Sequence, residues 1–508
     1  MTSTGLALGV TALTVLAVTG VGLLAVRGRV RSVEDFIAAR DSVDRGTMTA
    51  TVVASTTGAW ILFSPAEAGA AFGGLPAVLG YALGSAVPLL CFIPVGRRIR
   101  AVMPAGHSLT EFAYARFGPA MYGFVLVVSA FYMFVFLAAE MTGIAGALSL
   151  VADVPLWQTS ALIGGFVLVY TVYGGLVASI VTDTVQTLVI LPLLAVGFGG
   201  AVAALGGPAE LHATAVAADA TLLDPGFRPG LAFGVYVAVA ILGSNMLNQG
   251  MWQRVYAADG DRALRDGLAV AAVAVVPMVL LAGLFGVAAA GLGLADSGTA
   301  SVAFFVVLET AFPTWVTVVV VALAVLLVMS SADTMFNAIA SVVTADLARL
   351  LGRPDQRRLW TVGRGLTVVV AAGAVAVGAQ GYSVLALFLT ADLLAVAVFV
   401  PFLAGLYTPR LSGGGALAAS VCGLAVGVAR FPPLRGPLTA LPGASALPAP
   451  SFLASFVGAA AVAAVLTFVA TAVGDAGTDL ETLDRDVRRL DDPVADGGER
   501  EDEEAGRR

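Results

Sequence analysis

Residues 323–350 have the sequence LAVLLVMSSADTMFNAIASVVTADLARL, in which polar residues interrupt a long apolar segment. About 20 apolar residues in a helix cross the hydrocarbon core of a bilayer, so this segment is typical of a membrane helix. Within about two helical turns it also carries Ser330, Ser331, Asp333, Thr334 and Asn337. Hydroxyl and carboxylate groups cost free energy in hydrocarbon unless they have partners. The stretch therefore predicts a membrane helix that carries a polar binding site.

The composition of the whole chain indicates that lipid is its main solvent. Only 12% of the 508 residues are charged and 58% are hydrophobic, whereas a soluble protein has about 25% charged residues. Apolar segments alternate with short polar connections, which predicts an all-α membrane protein with about 13 transmembrane helices. The predicted segments are 5–26, 48–71, 75–96, 118–150, 157–174, 178–204, 229–252, 267–293, 316–345, 361–379, 383–407, 413–429 and 451–473.

Residue usage excludes several classes of protein. All 27 basic residues are Arg, so the chain cannot form a Walker A phosphate loop, which requires a Lys. Cys91 and Cys422 both lie in apolar segments, which indicates small core residues rather than a disulfide or a metal pair. The carboxylates within the segments have no nearby His or Lys and no nucleophile motif. We therefore expect neither an enzyme nor a nucleic-acid partner.

The distribution of charge predicts the orientation of the chain. Arginines in short loops remain in the cytoplasm, and an outside N-terminus gives eighteen inner arginines against three outer ones, Arg228, Arg430 and Arg435. The tail from Asp475 onward contains 13 acidic residues and six arginines, which accounts for the net charge of −7. We expect a plasma-membrane protein with its N-terminus outside and an acidic tail in the cytoplasm.

Two predicted segments are poorly suited to continuous helices. The second contains ASTTGAWILFSPAEAG (54–69), in which Gly58 loosens the backbone and Pro65 lacks a donor. The seventh contains ILGSNMLNQG (241–250), with amides in an otherwise apolar segment. Broken helices at corresponding positions of two halves indicate a transport site at mid-membrane depth.

The spacing of these two segments predicts two sets of five helices in a five-plus-five inverted repeat. One N-terminal and two C-terminal helices lie outside the repeats. The predicted regions are an N-terminal helix and loop (1–46), a first repeat (47–205), an outer loop (206–228), a second repeat (229–411), two peripheral helices (412–474) and the tail (475–508).

Five carboxylates lie within predicted spans: Asp183, Asp333, Glu67, Glu140 and Asp392. Carboxylate and hydroxyl oxygens are hard donors that suit a cation such as Na⁺. Alternatively, the hydroxyls only bond to carbonyls of their own or neighbouring helices. Glu67, Glu140 and Asp392 could each reach the membrane interface, be protonated or bond to a neighbouring hydroxyl. No Arg is predicted deep in a span, which favours neutral, zwitterionic or cationic solutes. A helix N-terminus can also bind a carboxylate, so amino acids and monocarboxylates remain candidate solutes.

Four segments resemble the sodium/solute symporter family, in order and with suitable spacing, across most of residues 33–407. MSSADTMFNAIASVVTADL (329–347) resembles the eighth core helix of the family, with paired hydroxyls and a trailing Asp346. The other three are YTVYGGLVASIVTDTVQ (170–186) for the fifth core helix, QRVYAADGDRALRDG (253–267) for the loop after the sixth, and EDFIAAR (34–40) for the loop before the first. This resemblance implies a LeuT-like core and a membrane-embedded symporter.

The resemblance also implies the ion sites. A sodium site would use the hydroxyls of Ser330 and Ser331, the Leu327 carbonyl and carbonyls of the first broken helix, either Ala54 and Thr57 or Ser55 and Gly58. A second cation site, found in some relatives, would use Asp183, Ser330, Asp333 and Thr334. The Asp at 333 replaces a hydroxyl of those relatives, which would strengthen the second site or make it proton-linked.

Two further resemblances concern the solute. GAWILFSP (58–65) resembles the broken helix of sodium/proline symporters, and IRAVMPAGHSLTEFAYARFG (99–118) resembles a loop of high-affinity urea transporters. We expect sodium-coupled import of a small polar solute: a proline-like amino acid, urea or a monocarboxylate. The candidate solute contacts are Thr56, Glu140, Asn245 and Asp392. The alternatives are a proton-coupled or uncoupled carrier and a membrane-embedded solute sensor.

Overall fold

The computed structural model of the protein describes residues 4–25, 27, 36–58, 60–296, 298–350, 356–439, 447–475, 477–480, 483 and 487. These residues form helices and no strand, apart from one isolated bridge between Val43 and Ala258. The acidic end of the predicted tail, residues 488–508, lies outside the described residues. The first half of the chain contains α1 (Thr4–Ala25), α2 (Arg45–Thr56), α3 (Trp60–Glu67), α4 (Gly74–Val102), α5 (Leu109–Phe117), α6 (Pro119–Ala152), α7 (Leu156–Ala204) and α8 (Gly207–Ala218).

The second half of the chain continues in the same way. Most of its helices are long and apolar, since they are built from Ala, Val, Leu and Phe with charges mainly at their ends. The helices are α9 (Arg228–Met246), α10 (Gln249–Ala257), α11 (Gly260–Gly291), α12 (Ala303–Ala311), α13 (Thr314–Leu350), α14 (Gln356–Gly378), α15 (Val384–Ala404), α16 (Gly413–Arg430), α17 (Arg435–Thr439) and α18 (Phe452–Val473).

Eleven helical spans among the described residues are long and apolar enough to cross a membrane, whereas the sequence predicts about thirteen. The difference arises at two glycine turns. A π-helical turn (Ala68–Gly73) joins α3 to α4, where Gly73 and Gly74 have φ values of 154° and 58°. Within α7, Gly175 has φ 56°. Both turns lie between two predicted segments, and the count of thirteen and the repeat layout remain predictions.

Glycine is required at these turns for two reasons. A positive φ disfavours residues that carry a side chain. There is also no room, because a Cβ atom on Gly74 would lie 2.2 Å from the Leu222 carbonyl oxygen and one on Gly175 would lie 2.3 Å from that of Phe36. A residue with a side chain would therefore be strained and would clash at either turn.

Both predicted helix breaks are observed. α2 ends at Thr56, the Thr57 N–H donates back to the Val53 carbonyl at 3.0 Å, and α3 begins at Trp60. α9 ends at Met246, and the Asn248 side chain accepts from the Gly250 N–H at 2.9 Å to cap α10. The two breaks expose backbone groups inside the bundle, where a bound ion or solute can meet them.

Packing brings the two breaks together. α4 contacts both α9 and α11, and a close approach is possible because Gly80 faces Gly234, where a Cβ atom would lie 2.1 Å from the Gly234 Cα. α2 contacts α7, α11 and α13, while α15 contacts α6 and α9. The interior between α2, α6, α9, α13 and α15 therefore contains both breaks and the polar cluster of α13.

Candidate functional site

A small cavity lies between the two broken helices. Its volume is about 60 Å³, which is enough for several water molecules. Three of the predicted solute contacts, Thr56, Asn245 and Asp392, line it. The fourth, Glu140, lies beside it at the α2/α3 break. The remaining lining residues are Ser55, Trp60, Tyr81, Tyr132, Phe136, Ile241, Ser244, Asn248, Met251, Thr334 and Phe388.

Asp392 is the one charged side chain among the described residues that line this cavity. It projects from α15 and is 5% exposed. The Ser244 hydroxyl of α9 lies near it in the cavity wall and donates to the Ile241 carbonyl at 3.2 Å. Because a single hydroxyl compensates little of the cost of a buried carboxylate, Asp392 gives the cavity an acidic character.

Glu140 occupies the start of α3. It projects from α6, is 1% exposed, and its Oε1 accepts from the Trp60 N–H at 3.3 Å. A Cβ atom on Gly58 would lie 2.5 Å from the same oxygen. A carboxylate at a helix N-terminus is stabilised by the free N–H groups and the helix dipole. Glu140 is therefore a cap for the broken helix.

The predicted sodium site lies where α13 meets the end of α2. The Ser331 hydroxyl donates to the Leu327 carbonyl at 3.1 Å. A Cβ atom on Gly58 would lie 2.8 Å from the Ser331 Oγ, so the chain after α2 contacts this hydroxyl. The Thr57 N–H donates to the Ala54 carbonyl at 3.2 Å, in the last turn of α2. The structure thus brings Ser331, Leu327 and Gly58 together, with Thr57 next to Gly58 and Ala54 one turn before it. The oxygens that hold an ion remain a prediction.

The predicted second cation site contains an arginine instead. Arg254, which the sequence assigns to an inner loop, lies in α10, outside the candidate membrane spans, and is fully buried by the packing of the helices. Its guanidinium donates to Asp183 Oδ2 at 2.8 Å, to the Thr334 hydroxyl at 2.9 Å and to the Thr51 hydroxyl at 3.1 Å. Ser330 donates to the other oxygen of Asp183 at 2.5 Å. The chain itself therefore supplies the positive charge that Asp183 needs.

Asp333 belongs to a separate network. Its Oδ2 accepts from Tyr170 at 2.8 Å and from Thr182 at 3.1 Å, and its Oδ1 accepts from Ser179 at 2.7 Å. All three donors are on α7. The residues of the predicted second cation site therefore belong to two networks. Asp183 and Thr334 are bonded to Arg254, whereas Asp333 is bonded to neutral hydroxyls.

The loop 103–108 and α5 join several helix ends. The Gln249 side chain donates to the His107 carbonyl at 2.7 Å and accepts from the Leu109 N–H at 2.9 Å. A capping box of Ser108 and Glu111 begins α5. Since Gln249 is the first residue of α10, the second helix break is held to this loop.

The sequence pattern of the sodium:solute symporter family matches residues 36–423. The chain belongs to that family. The match includes both helix breaks, the cavity and the polar cluster of α13. Family membership establishes that the chain is a multi-pass membrane transporter of solutes and not an enzyme, which confirms those two predictions.

Several characterised or probable transporters are similar to this symporter. A spermidine transporter of Candida albicans is 26% identical over 356 residues, which are 70% of this chain and 66% of that protein. Probable urea active transporter 1 of Schizosaccharomyces pombe is 27% identical over 244 residues, 46% of this chain and 37% of that protein. A sodium/glucose cotransporter of Vibrio parahaemolyticus is 26% identical over 476 residues, 84% of this chain and 85% of that protein. The chain spans about two thirds of the spermidine transporter and about a third of the urea transporter.

Solved structures of related fold cover nearly the whole symporter. A Na⁺-coupled sialic acid symporter superimposes with a TM-score of 0.73 at 16% identity, covering 93% of this chain and 99% of that chain. MHP1, a nucleobase-cation-symport-1 family transporter, gives a TM-score of 0.59 at 13% identity, covering 89% of this chain and 98% of that chain. These likenesses show that the fold is that of a LeuT-like transporter.

Proposed function

We propose that this symporter couples the inward movement of Na⁺ to the import of a small polar solute across the plasma membrane, with the N-terminus outside and the C-terminus in the cytoplasm. The contact between Gly58 and Ser331 carries the proposal. The same short segment of chain that contacts Ser331 also lines the solute cavity through Ser55 and Thr56. An ion held between α2 and α13 would therefore fix one wall of the cavity.

This linkage gives a physical basis for coupling. An ion that binds better when α2 and α13 are together shifts the conformational equilibrium toward that state, and so does a solute that needs the completed cavity wall. One Na⁺ that moves inward across about 100 mV releases roughly 2.3 kcal/mol. That free energy supports roughly fiftyfold accumulation of a neutral solute before the sodium gradient is added.

We propose one coupling ion, held by Ser330, Ser331, Leu327 and the carbonyls of Ala54 and Thr57 or of Ser55 and Gly58. The guanidinium of Arg254 is bonded to Asp183 and Thr334, where a second cation would be bound. A second sodium at Asp183, Asp333 and Thr334 would require Arg254 to leave and Asp333 to turn away from α7. The contacts of Arg254 therefore favour a single sodium.

Proton coupling is the second candidate. Asp333 is fully buried among three neutral hydroxyl donors and has no ion-pair partner among the described residues. A carboxyl in such a setting can carry a proton across the conformational change without disturbing a salt bridge. The solutes of the relatives, which include spermidine, urea and glucose, do not decide between the two ions.

Sodium binding can be measured without knowing the solute. We expect the purified wild-type protein to bind radioactive sodium, and Ser331→Ala and Ser330→Ala to weaken binding by at least about tenfold, because each removes one of about five oxygen ligands. Ser420→Ala is the matched control. Ser420 is also buried and bonded to a carbonyl of its own helix, at 2.9 Å, but it lies in α16.

The same variants distinguish sodium from proton coupling. Proteoliposomes with an inward sodium gradient or an inward proton gradient would be tested with urea, proline, acetate and putrescine. Sodium-driven uptake that Ser331→Ala abolishes and Ser420→Ala retains supports the proposal. Equal sodium affinity in all variants, or uptake driven by protons alone, would refute the assigned site.

A further inference from the structure

The cavity between the broken helices has the chemistry of a site for a positively charged solute. Resting on the proposal that this cavity binds the transported solute, we infer that the solute is a small organic cation, an amine or quaternary ammonium, whose charged group is held by Asp392. The inference narrows the expected solutes, because it excludes monocarboxylates and ranks urea and zwitterionic amino acids below cations.

The first argument is the unbalanced charge of Asp392. No Arg or His lines the cavity among the described residues, and the nearby Ser244 hydroxyl donates to the Ile241 carbonyl. The nearest buried guanidinium network, that of Arg254, is committed to Asp183 and its neighbouring hydroxyls. A buried charge without a counter-ion is costly, and a cationic solute would remove that cost on binding.

The second argument is that the positions suited to a solute carboxylate are already filled. Two helix N-termini face the breaks and could hold an anion. Glu140 accepts from the Trp60 N–H at the start of α3, and the Asn248 side chain accepts from the Gly250 N–H at the start of α10. A solute carboxylate in the cavity would lie near Asp392, which lines the cavity, and near Glu140, which lies beside it at the start of α3. Both would repel it.

The third argument is the aromatic wall of the cavity. Trp60 stacks on Tyr81 with ring centroids 5.8 Å apart, and Phe136 meets Phe388 at 5.0 Å. Tyr132 completes the aromatic lining. Ring faces attract ammonium groups, and cages of such rings around a carboxylate are a recurring way to bind them. A volume of about 60 Å³ fits the head group of an amine and a short part of its chain.

The test compares cations with neutral and anionic solutes on the full-length purified protein. Thermal unfolding would be followed with choline, putrescine, urea, proline and acetate, in wild type, Asp392→Asn and Glu210→Gln. Glu210→Gln is the matched control, because it also removes one carboxylate but lies exposed on α8. We expect choline or putrescine to stabilise wild type and Glu210→Gln, and Asp392→Asn to weaken that binding by roughly thirtyfold or more.

A second measurement needs no variant, so it decides the question if Asp392→Asn does not fold. In wild-type proteoliposomes with one sodium carried per solute, the charge moved per solute should be roughly two for choline, roughly three for the dication putrescine, and roughly one for a neutral solute. Stabilisation by acetate or proline but by neither cation, or equal cation affinity in wild type and Asp392→Asn, would overturn the inference.

The outcomes also separate this inference from the proposed coupling. Cation binding that needs Asp392, without sodium-driven accumulation, would support the inference and refute sodium coupling. Sodium-driven accumulation of urea at roughly one charge per solute, without cation binding, would refute the inference and leave the proposed function in place.

Discussion

Replacing Arg254 by Gln should turn the place of its guanidinium, beside Asp183, into an open cation site. The substitution removes a charge that lies 2.8 Å from Asp183 Oδ2, where the two side chains are 1% and 0% exposed. Removing one partner of a buried ion pair costs about 3–5 kcal/mol, because the remaining charge stays buried without compensation. We therefore expect Arg254→Gln to lose about this much unfolding free energy in sodium-free buffer.

Sodium should restore much of that loss. Without the guanidinium, Asp183 keeps the hydroxyls of Thr51 and Ser330, and the Thr334 hydroxyl loses the Arg254 donor that it accepts from. These oxygens are a set that suits Na⁺. An ion at a hundred times its dissociation constant adds about 2.7 kcal/mol of stability. The assay is unfolding in mixed micelles at several sodium concentrations, with potassium replacing sodium to hold ionic strength constant.

Asp183→Asn is the matched control for this prediction. It breaks the same pair from the other side, so it should be destabilised to a similar degree, but it leaves no carboxylate for sodium. The double variant Asp183→Asn with Arg254→Gln should lose less than the sum of the two single variants, since the pair is coupled. An Arg254→Gln protein that is as stable as wild type without sodium, or that gains no more from sodium than Asp183→Asn, would refute the reasoning.

Two further predictions test the helix ends near the site. Gly58→Ala should reduce sodium binding at least about tenfold, because the added Cβ would lie 2.5 Å from Glu140 Oε1 and 2.8 Å from Ser331 Oγ; unchanged binding of radioactive sodium would contradict this contact. Asp44 caps α2 by accepting from the Thr47 N–H at 2.9 Å, and this bond lowers the pKa of Asp44 in the folded protein. Its stabilising effect should therefore be present above the unfolded pKa and disappear as pH falls through the lowered folded pKa. Asp44→Ala should remove that pH dependence from the unfolding curve.

Local sequence signals predicted the features that depend on local chemistry. Gly58 predicted the break between α2 and α3, because a glycine frees the backbone. The amides of 241–250 predicted the break between α9 and α10, because polar side chains interrupt an apolar segment of the sequence. The hydroxyl pair Ser330 and Ser331 predicted a polar site for the same reason. The sequence also predicts boundaries between spans near two glycine turns, and the structure has a π-helical turn before Gly74 and a non-helical Gly175 at these places.

Features that depend on distant contacts could not be predicted in this way. Hydropathy assigns Arg254 to a loop because it follows polar residues, yet α10 is buried by packing against α2, α4 and α13. Glu140 lies 80 residues from the Trp60 N–H that it caps. A capping signal normally extends over three or four residues, so nothing in the local sequence identified this one.

The buried carboxylates divide by the partners that the chain provides for them. Asp183 has a guanidinium, Asp333 has three hydroxyl donors, Glu140 has a helix N-terminus, and Glu67 has one hydroxyl donor at 2.9 Å. Asp392 faces the cavity, with the Ser244 hydroxyl also in the cavity wall. Ionisable groups in membrane segments are costly unless they are paired or functional. Asp392, the carboxylate with the weakest partners inside the protein, is therefore the one placed to bind the charged group of a solute. In this symporter that position is the proposed solute cavity, and an ion at the proposed sodium site, one helix turn away on α2, would hold the cavity wall in place.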